Sequence, residues 1–165
     1  MFKEEYRPLR PRESAAFAAI AAEYLPGIPP AQALAMPVRL CCVRGGQVIG
    51  VAFAELRAPR ELCLQGIAIA HPFHAQGRGG KLLQALEEEA RRRDYEKISL
   101  GAAGGYVERF YRKNGYRAVE LKIFGPGGVT VLPVSGDTLP DRAALTAQYG
   151  GEHSFFVFEK MLSAI

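Results

Sequence analysis

Long apolar runs are missing from this chain. The longest, Ala15 to Ala22, is eight residues, against the roughly twenty that a membrane-spanning helix requires, so no helical membrane segment is expected. Cysteine is scarce and odd in number: Cys41, Cys42 and Cys63. Cys41 and Cys42 are adjacent and would point to opposite faces of a strand, which excludes a disulfide framework and a metal-binding cluster. The three read as reduced, buried, small apolar side chains, which points to a reducing cytoplasm. The opening has no basic-then-apolar pattern, since Lys3 is followed by Glu4, Glu5 and Arg7-Pro8, so export is not expected. Neither sign of charge dominates: 21 basic residues stand against 17 acidic ones, net +4. That balance suits a small anionic ligand at least as well as nucleic acid. The bases are interleaved with acids and lack an aromatic stacking stripe, so no nucleic-acid partner is expected. There is no internal repeat and no low-complexity tract.

What remains is an ordinary globular composition, 48% hydrophobic and 23% charged over 165 residues, which predicts one domain over residues 1–165. Tyr6 to Leu9 reads as a short edge strand, Arg12-Glu13-Ser14 opens an Ala-rich helix to Tyr24, and Pro30 to Ala35 is a second short helix. Arg39 to Arg44, the Gly45-Gly46 turn and Gln47 to Leu56 form a hairpin. Leu62 to Ala70 is apolar enough to be a central strand. A helix from about Lys81 to Arg93 follows, with Leu82, Leu83, Leu86 and Ala90 on its apolar stripe. Glu87–Arg91, Glu88–Arg92 and Glu89–Arg93 are spaced i,i+4 on its charged face. A strand at Lys97 to Leu100 closes a right-handed βαβ crossover, making a parallel pair. Tyr106 to Lys113 is an amphipathic helix capped by Asn114-Gly115, and Tyr116 to Phe124 and His153 to Met161 are strands. Residues 125–152 read as a long loop that holds one strand, Val129 to Val134.

Between the central strand and its helix lies Gly77-Arg78-Gly79-Gly80. A buried strand running through glycines into a helix suits phosphate, because the first helical amides lack an intrachain acceptor and the helix dipole favours anions there. Arg78 and Lys81 add positive charge beside those amides. Close backbone packing without a ligand also produces such turns. A Walker A loop would need glycine at Ala75 and Ser or Thr at Leu82, and a dinucleotide fingerprint would need glycine at Leu82; neither is present.

Two motifs in register resemble the GCN5-related N-acetyltransferase superfamily. His74-Ala75-Gln76-Gly77-Arg78-Gly79 is similar to its acetyl-CoA loop, Arg/Gln-x-x-Gly-x-Gly/Ala, with His74 replacing the usual Arg or Gln. Thirty-one residues after Gly79, Phe110-Tyr111-Arg112-Lys113-Asn114-Gly115-Tyr116 looks like its Phe-Tyr-x-Lys-x-Gly-Phe element. The order of elements from Tyr6 to Met161 agrees as well, with no counterpart placed for residues 125–152. The resemblance implies an α/β (α+β) fold: a mixed, mostly antiparallel central sheet with a splayed parallel pair, flanked by helices.

It also implies acetyl transfer from acetyl-CoA, without a metal. An amine attacks the thioester, an oxyanion forms and a thiolate leaves, so the site needs a phosphate cradle, an oxyanion donor and a proton source. The coenzyme-binding set is then His74, Gln76, Gly77, Arg78, Gly79, Gly80 and Lys81, with amides from Gln76 to Lys81 holding the pyrophosphate. Splaying would free backbone groups around Ile67 and Ile69 for the pantetheine arm and thioester oxygen. Tyr111 is the residue marked as general acid, a phenol with an ordinary pKa of about 10; Phe110 and Tyr116 read as packing. Gly104 stands where some relatives carry a coenzyme-contacting asparagine. Cys63 stands near a position that often holds a carboxylate, which leaves Glu61 acting through water, Glu55, His71, His153 or no base at all. Two readings follow: an N-acetyltransferase acting on a primary amine of a small molecule or peptide, or a non-catalytic acyl-CoA-binding regulatory module. Residues 125–152 are expected to shape the acceptor pocket, and a homodimer is an admissible assembly.

Overall fold

The computed structural model describes residues 2–135 and 138–163; Gly136 and Asp137, within the segment expected to shape the acceptor pocket, lie outside the described residues. The chain forms two compact units, Met1–Ile98 with Leu162–Ile165, and Ser99–Met161.

In the first unit, strand β1 (Glu4–Pro8) pairs antiparallel with β2 (Val38–Arg44), β2 with β3 (Gln47–Ala58), and β3 with β4 (Glu61–Ile69). The β2–β3 hairpin turns on Gly45 and Gly46, at φ +56° and +82°, where two consecutive positive φ angles give the backbone the twist that flanking strands need. Phe53 pairs with Gly66 but Ala54 with Leu64, so Gln65 is the extra residue of a β-bulge. A Cβ at Gly66 would lie 2.5 Å from the Phe53 ring and 2.9 Å from Leu25, so only glycine fits there.

Helices α1 (Ser14–Tyr24) and α2 (Pro30–Leu34) bury Phe17, Ile20, Ala21 and Ala33 against Cys41, Val43, Val51 and Phe53. On the other face Leu40, Cys42, Ala52 and Ala54 are fully buried under α3 (Arg78–Arg92). The two adjacent cysteines do occupy opposite faces, and all three cysteines are buried and outside any disulfide. In α3 the expected stripe of Leu82, Leu83, Leu86 and Ala90 is fully buried. The charged face differs from expectation. Glu87 and Glu89 are buried, Glu89 takes both Arg93 (3.6 Å) and Arg92 (3.2 Å), and Arg91 turns to the Ser163 carbonyl. Strand β5 (Lys97–Ala102) begins in this unit, and its first residue meets the first residue of β4 in the Glu61–Lys97 ion pair, 3.4 Å. Matching starts are what a parallel neighbour joined through a helix produces, and among the described residues the sheet is mostly antiparallel with one parallel pair.

In the second unit the strands run β5, β8 (His153–Met161), β6 (Arg117–Gly125) and β7 (Gly128–Pro133), with β6 antiparallel to both neighbours. Helix α4 (Gly105–Lys113) ends at Gly115, whose φ of +90° is the left-handed cap expected of Asn114-Gly115. One element was not anticipated: helix α5 (Arg142–Gln148) inside the segment read as loop. It has no fully buried residue and so no apolar stripe to reveal it. It is set instead by the Asp141 carboxylate, which accepts from Ala144 N (3.0 Å), and by Arg142 and Thr146 bonding Ser154 on β8. Among the described residues no helix is long and apolar enough to cross a membrane.

Candidate active site

Ala70 N donates to Ile49 O at 2.7 Å. In an antiparallel ladder hydrogen-bonded and non-bonded pairs alternate, so Ile67 and Ile69, opposite Ala52 and Gly50, aim their backbone groups away from β3. The Ile69 carbonyl is met by His74 Nε2, which must carry the proton because a carbonyl only accepts. His74 packs edge-on against His71 and Tyr24, and the Tyr24 hydroxyl accepts from His71 N at 2.9 Å. His74 therefore holds the turn against the end of the strand.

The chain then passes through Ala75 (φ +60°) and Gly77 (φ +78°) into α3. The helix starts at Arg78, three residues before the point expected from periodicity, because Gly79 and Gly80 carry no side chain to mark a stripe. Lys81 N donates to Gly77 O at 3.2 Å and closes the first turn. The amides from Gly77 to Gly80 are thus the ones left without an intrahelical acceptor, whereas the Lys81 amide is used within the helix and its side chain is exposed.

Arg78, between the glycines, turns inward and is 11% exposed. Its Nε and Nη2 donate to Glu4 Oε2 at 3.1 and 2.7 Å, its Nη1 to Phe73 O at 3.2 Å and to the Gln76 side-chain oxygen, and its plane lies 5.5 Å from the Phe73 ring. Glu4 also accepts from the Tyr6 hydroxyl at 2.9 Å and faces Arg44 Nε at 3.5 Å. The Arg78 hydrogen bonds hold the Glu4 carboxyl below its ordinary range, and burial drives the Tyr6 phenol up. Nothing in the sequence marks Glu4 as part of a site, because its partner is 74 residues away.

On β3 and β4, Glu61 is half-buried and tied to Lys97. Glu55 lies opposite Cys63 in the ladder; the bulged Gln65 donates from Nε2 to Glu55 Oε1 at 3.1 Å and reaches Cys63 Sγ at 3.3 Å. The register thus brings a carboxylate next to Cys63, the position that has none of its own. A groove of about 630 Å³ on the same unit, lined by Lys3, Arg7, Arg10, Arg12, Glu5 and Glu13 among others, includes none of the expected site residues.

In the second unit Tyr111 is 6% exposed on α4, ringed by Phe110 (5.1 Å), Tyr116 (5.8 Å) and Phe158 (6.2 Å). Burial pushes its phenol up to about 12. Gly104, before α4, has a φ of +112° and gives its amide to Glu108 Oε2 at 2.7 Å, a backbone that an asparagine would adopt only under strain. His153 stacks on Phe124, centroids 4.8 Å apart and 4° from parallel.

The model of the Acetyltransferase (GNAT) family matches residues 4–116. No curated protein sequence matches the chain. Among solved structures, it is similar to an aminoglycoside 6'-N-acetyltransferase complexed with coenzyme A, at TM-score 0.71 and 13% identity, covering 98% of both chains. It is similar to the ribosomal-protein-S18-alanine N-acetyltransferase of Escherichia coli, at TM-score 0.66 and 14% identity, covering 99% of this chain and 96% of that one. An N-acetyltransferase from Staphylococcus aureus gives TM-score 0.68 at 14% identity over 98% and 99%. At these identities the likeness is one of fold, and it spans both units.

Proposed function

The chain belongs to the GNAT acetyltransferase family, and from that premise we propose that it transfers acetyl from acetyl-CoA to a primary amine of a small molecule or peptide by direct attack. The observation that carries the reading is the β4 end, glycine turn and α3 start, where consecutive amides from Gly77 to Gly80 lack intrahelical acceptors. They would hold the coenzyme pyrophosphate, helped by the helix dipole and the Lys81 ammonium. The backbone of Ile67 and the Ile69 amide would receive the pantetheine arm and the thioester oxygen, the Ile69 carbonyl being engaged by His74.

Tyr111 is the proposed general acid. With its phenol pushed up to about 12 it is fully protonated at neutral pH, so it can donate to the sulfur as negative charge grows there. Glu61, which lies 3.4 Å from the Lys97 ammonium, is the proposed acceptor of the ammonium proton, acting through water. Residues 125–152 are proposed to shape the acceptor pocket. Three cysteines outside any disulfide fit a reducing, cytoplasmic setting.

Free-thiol release from acetyl-CoA across a panel of small primary amines, amino-terminal peptides and aminoglycosides tests this reading. Release that depends on an added amine is expected. Calorimetric binding of acetyl-CoA with no thiol release from any amine would favour the regulatory-module reading, which the absence of a carboxylate at Cys63 supports.

A further inference from the structure

Arg78 is placed by sequence where a phosphate ligand would be expected, at the first residue of α3 between the glycines of the turn. Its side chain is instead occupied on every edge: Nε and Nη2 on Glu4, Nη1 on the Phe73 carbonyl and the Gln76 side chain, and its face on the Phe73 ring. Turning it toward an anion would break all of these and leave Glu4 with Tyr6 and the more distant Arg44. Glu4 is itself fixed by the sheet, since it is registered against Arg44 in the β1–β2 ladder. Arg44 is in turn flanked by the Phe2 ring at 4.8 Å and the Phe73 ring at 5.5 Å.

We propose that Arg78 and Glu4 are positioning residues: the pair pins the glycine turn to the amino-terminal strand and presents the Gly77–Gly80 amides to the coenzyme, and Arg78 does not itself bind phosphate. The proposal rests on the coenzyme-binding reading above. It makes β1 a part of the coenzyme site at one remove, although no atom of β1 need touch the ligand. Its consequence is a sign. If Arg78 were a phosphate ligand, Glu4 would compete for it, and removing the Glu4 charge would tighten binding. If Arg78 is a pin, removing Glu4 loosens the cradle and weakens binding.

Calorimetric titration of coenzyme A into the full chain distinguishes the two. Glu4→Gln, Gln76→Ala and Arg78→Gln should each weaken binding about tenfold, the scale of losing one charge-assisted hydrogen bond. Glu4→Gln/Arg78→Gln should be no weaker than the poorer single variant, because one pin is lost only once. The salt dependence of binding should be the same in Arg78→Gln as in wild type, a readout that a general loss of stability would not explain. Tighter or unchanged binding in Glu4→Gln and Gln76→Ala, multiplicative losses in the double variant, or a shallower salt dependence in Arg78→Gln would overturn the proposal. Should Glu4→Gln fail to fold by circular dichroism, the salt dependence of Arg78→Gln decides, since losing a phosphate ligand would make it shallower and losing a pin would not. Failure of the wild-type chain to bind coenzyme A would strike the functional reading instead.

Discussion

A phenol enclosed by three aromatic rings keeps its proton far into the alkaline range, and this sets what Tyr111 can be asked to do. Tyr111→Phe retains the packing against Phe110, Tyr116 and Phe158 while removing the donor. Melting temperature and acetyl-CoA affinity should hold, and kcat should fall by roughly 10²- to 10⁴-fold, the usual contribution of a general acid. Because burial pushes the phenol up to about 12, its ionisation should leave no limb in the wild-type profile between about pH 6 and 10. A wild-type loss of kcat in that window that disappears in Tyr111→Phe would mean that ligand binding lowers the phenol. Gly77 is a second residue-scale case. No atom lies within 4 Å of a Cβ built there, so Gly77→Val meets open space, but its φ of +78° disfavours any side chain. The variant should lose on the order of 1–2 kcal/mol of stability in denaturant unfolding, and its coenzyme A affinity should fall as the turn shifts.

At the scale of elements, the entry to α1 is held by one carboxylate. Glu13 accepts from Arg7 Nη1 and Nη2 at 2.8 and 2.7 Å and from Arg10 N at 2.9 Å, and the Arg7 bonds first of all hold it down at about 2. A folded-state pKa below the unfolded value of 4.5 gives stability that is fully present above pH 4.5 and lost as pH falls toward 2. Allowing for solvent near the pair, the contribution is on the order of 2 kcal/mol. Glu13→Gln should be destabilised by about that amount at pH 7, and the gap to wild type should close by about pH 2, as read from urea unfolding at each pH. Helix α5 makes the other element-scale prediction. Its docking runs through Ser154, Thr146 and Arg142, and no expected coenzyme residue lies in it. Replacing residues 134–150 with a short linker should change the order of preferred amines in thiol-release assays and leave coenzyme A affinity unchanged. Loss of coenzyme binding by a folded deletion variant would refute the assignment of this segment to the acceptor.

For the molecule as a whole, 21 bases against 17 acids leave little net field, and several bases are neutralised locally: Arg7 by Glu5 and Glu13, Arg78 by Glu4, and Arg92 and Arg93 by Glu89. Fluorescence anisotropy against random duplex DNA should therefore show no saturable binding at about 0.15 M salt. Tight binding with a steep salt slope would mean that the remaining bases form a patch.

Sequence alone determined the order of elements other than α5, the glycine turn and the Tyr111 element, because these are local. A two-residue alternation, a helical stripe such as Leu82-Leu83-Leu86-Ala90 and a Gly-Gly turn are written in neighbouring residues, and the family resemblance rests on the same short stretches. Residues matched across space were not legible. Arg78 and Lys81 look alike as cations beside a turn, and only the fold distinguishes the one locked onto Glu4 from the one left exposed. The bulge that brings Gln65 to Glu55, the buried side chain of Glu87 and the docking of α5 on Ser154 arise in the same way. Each depends on strand register or on which helix face meets the sheet, and those are set by the free energy of packing the whole chain, in which no single segment has the deciding share.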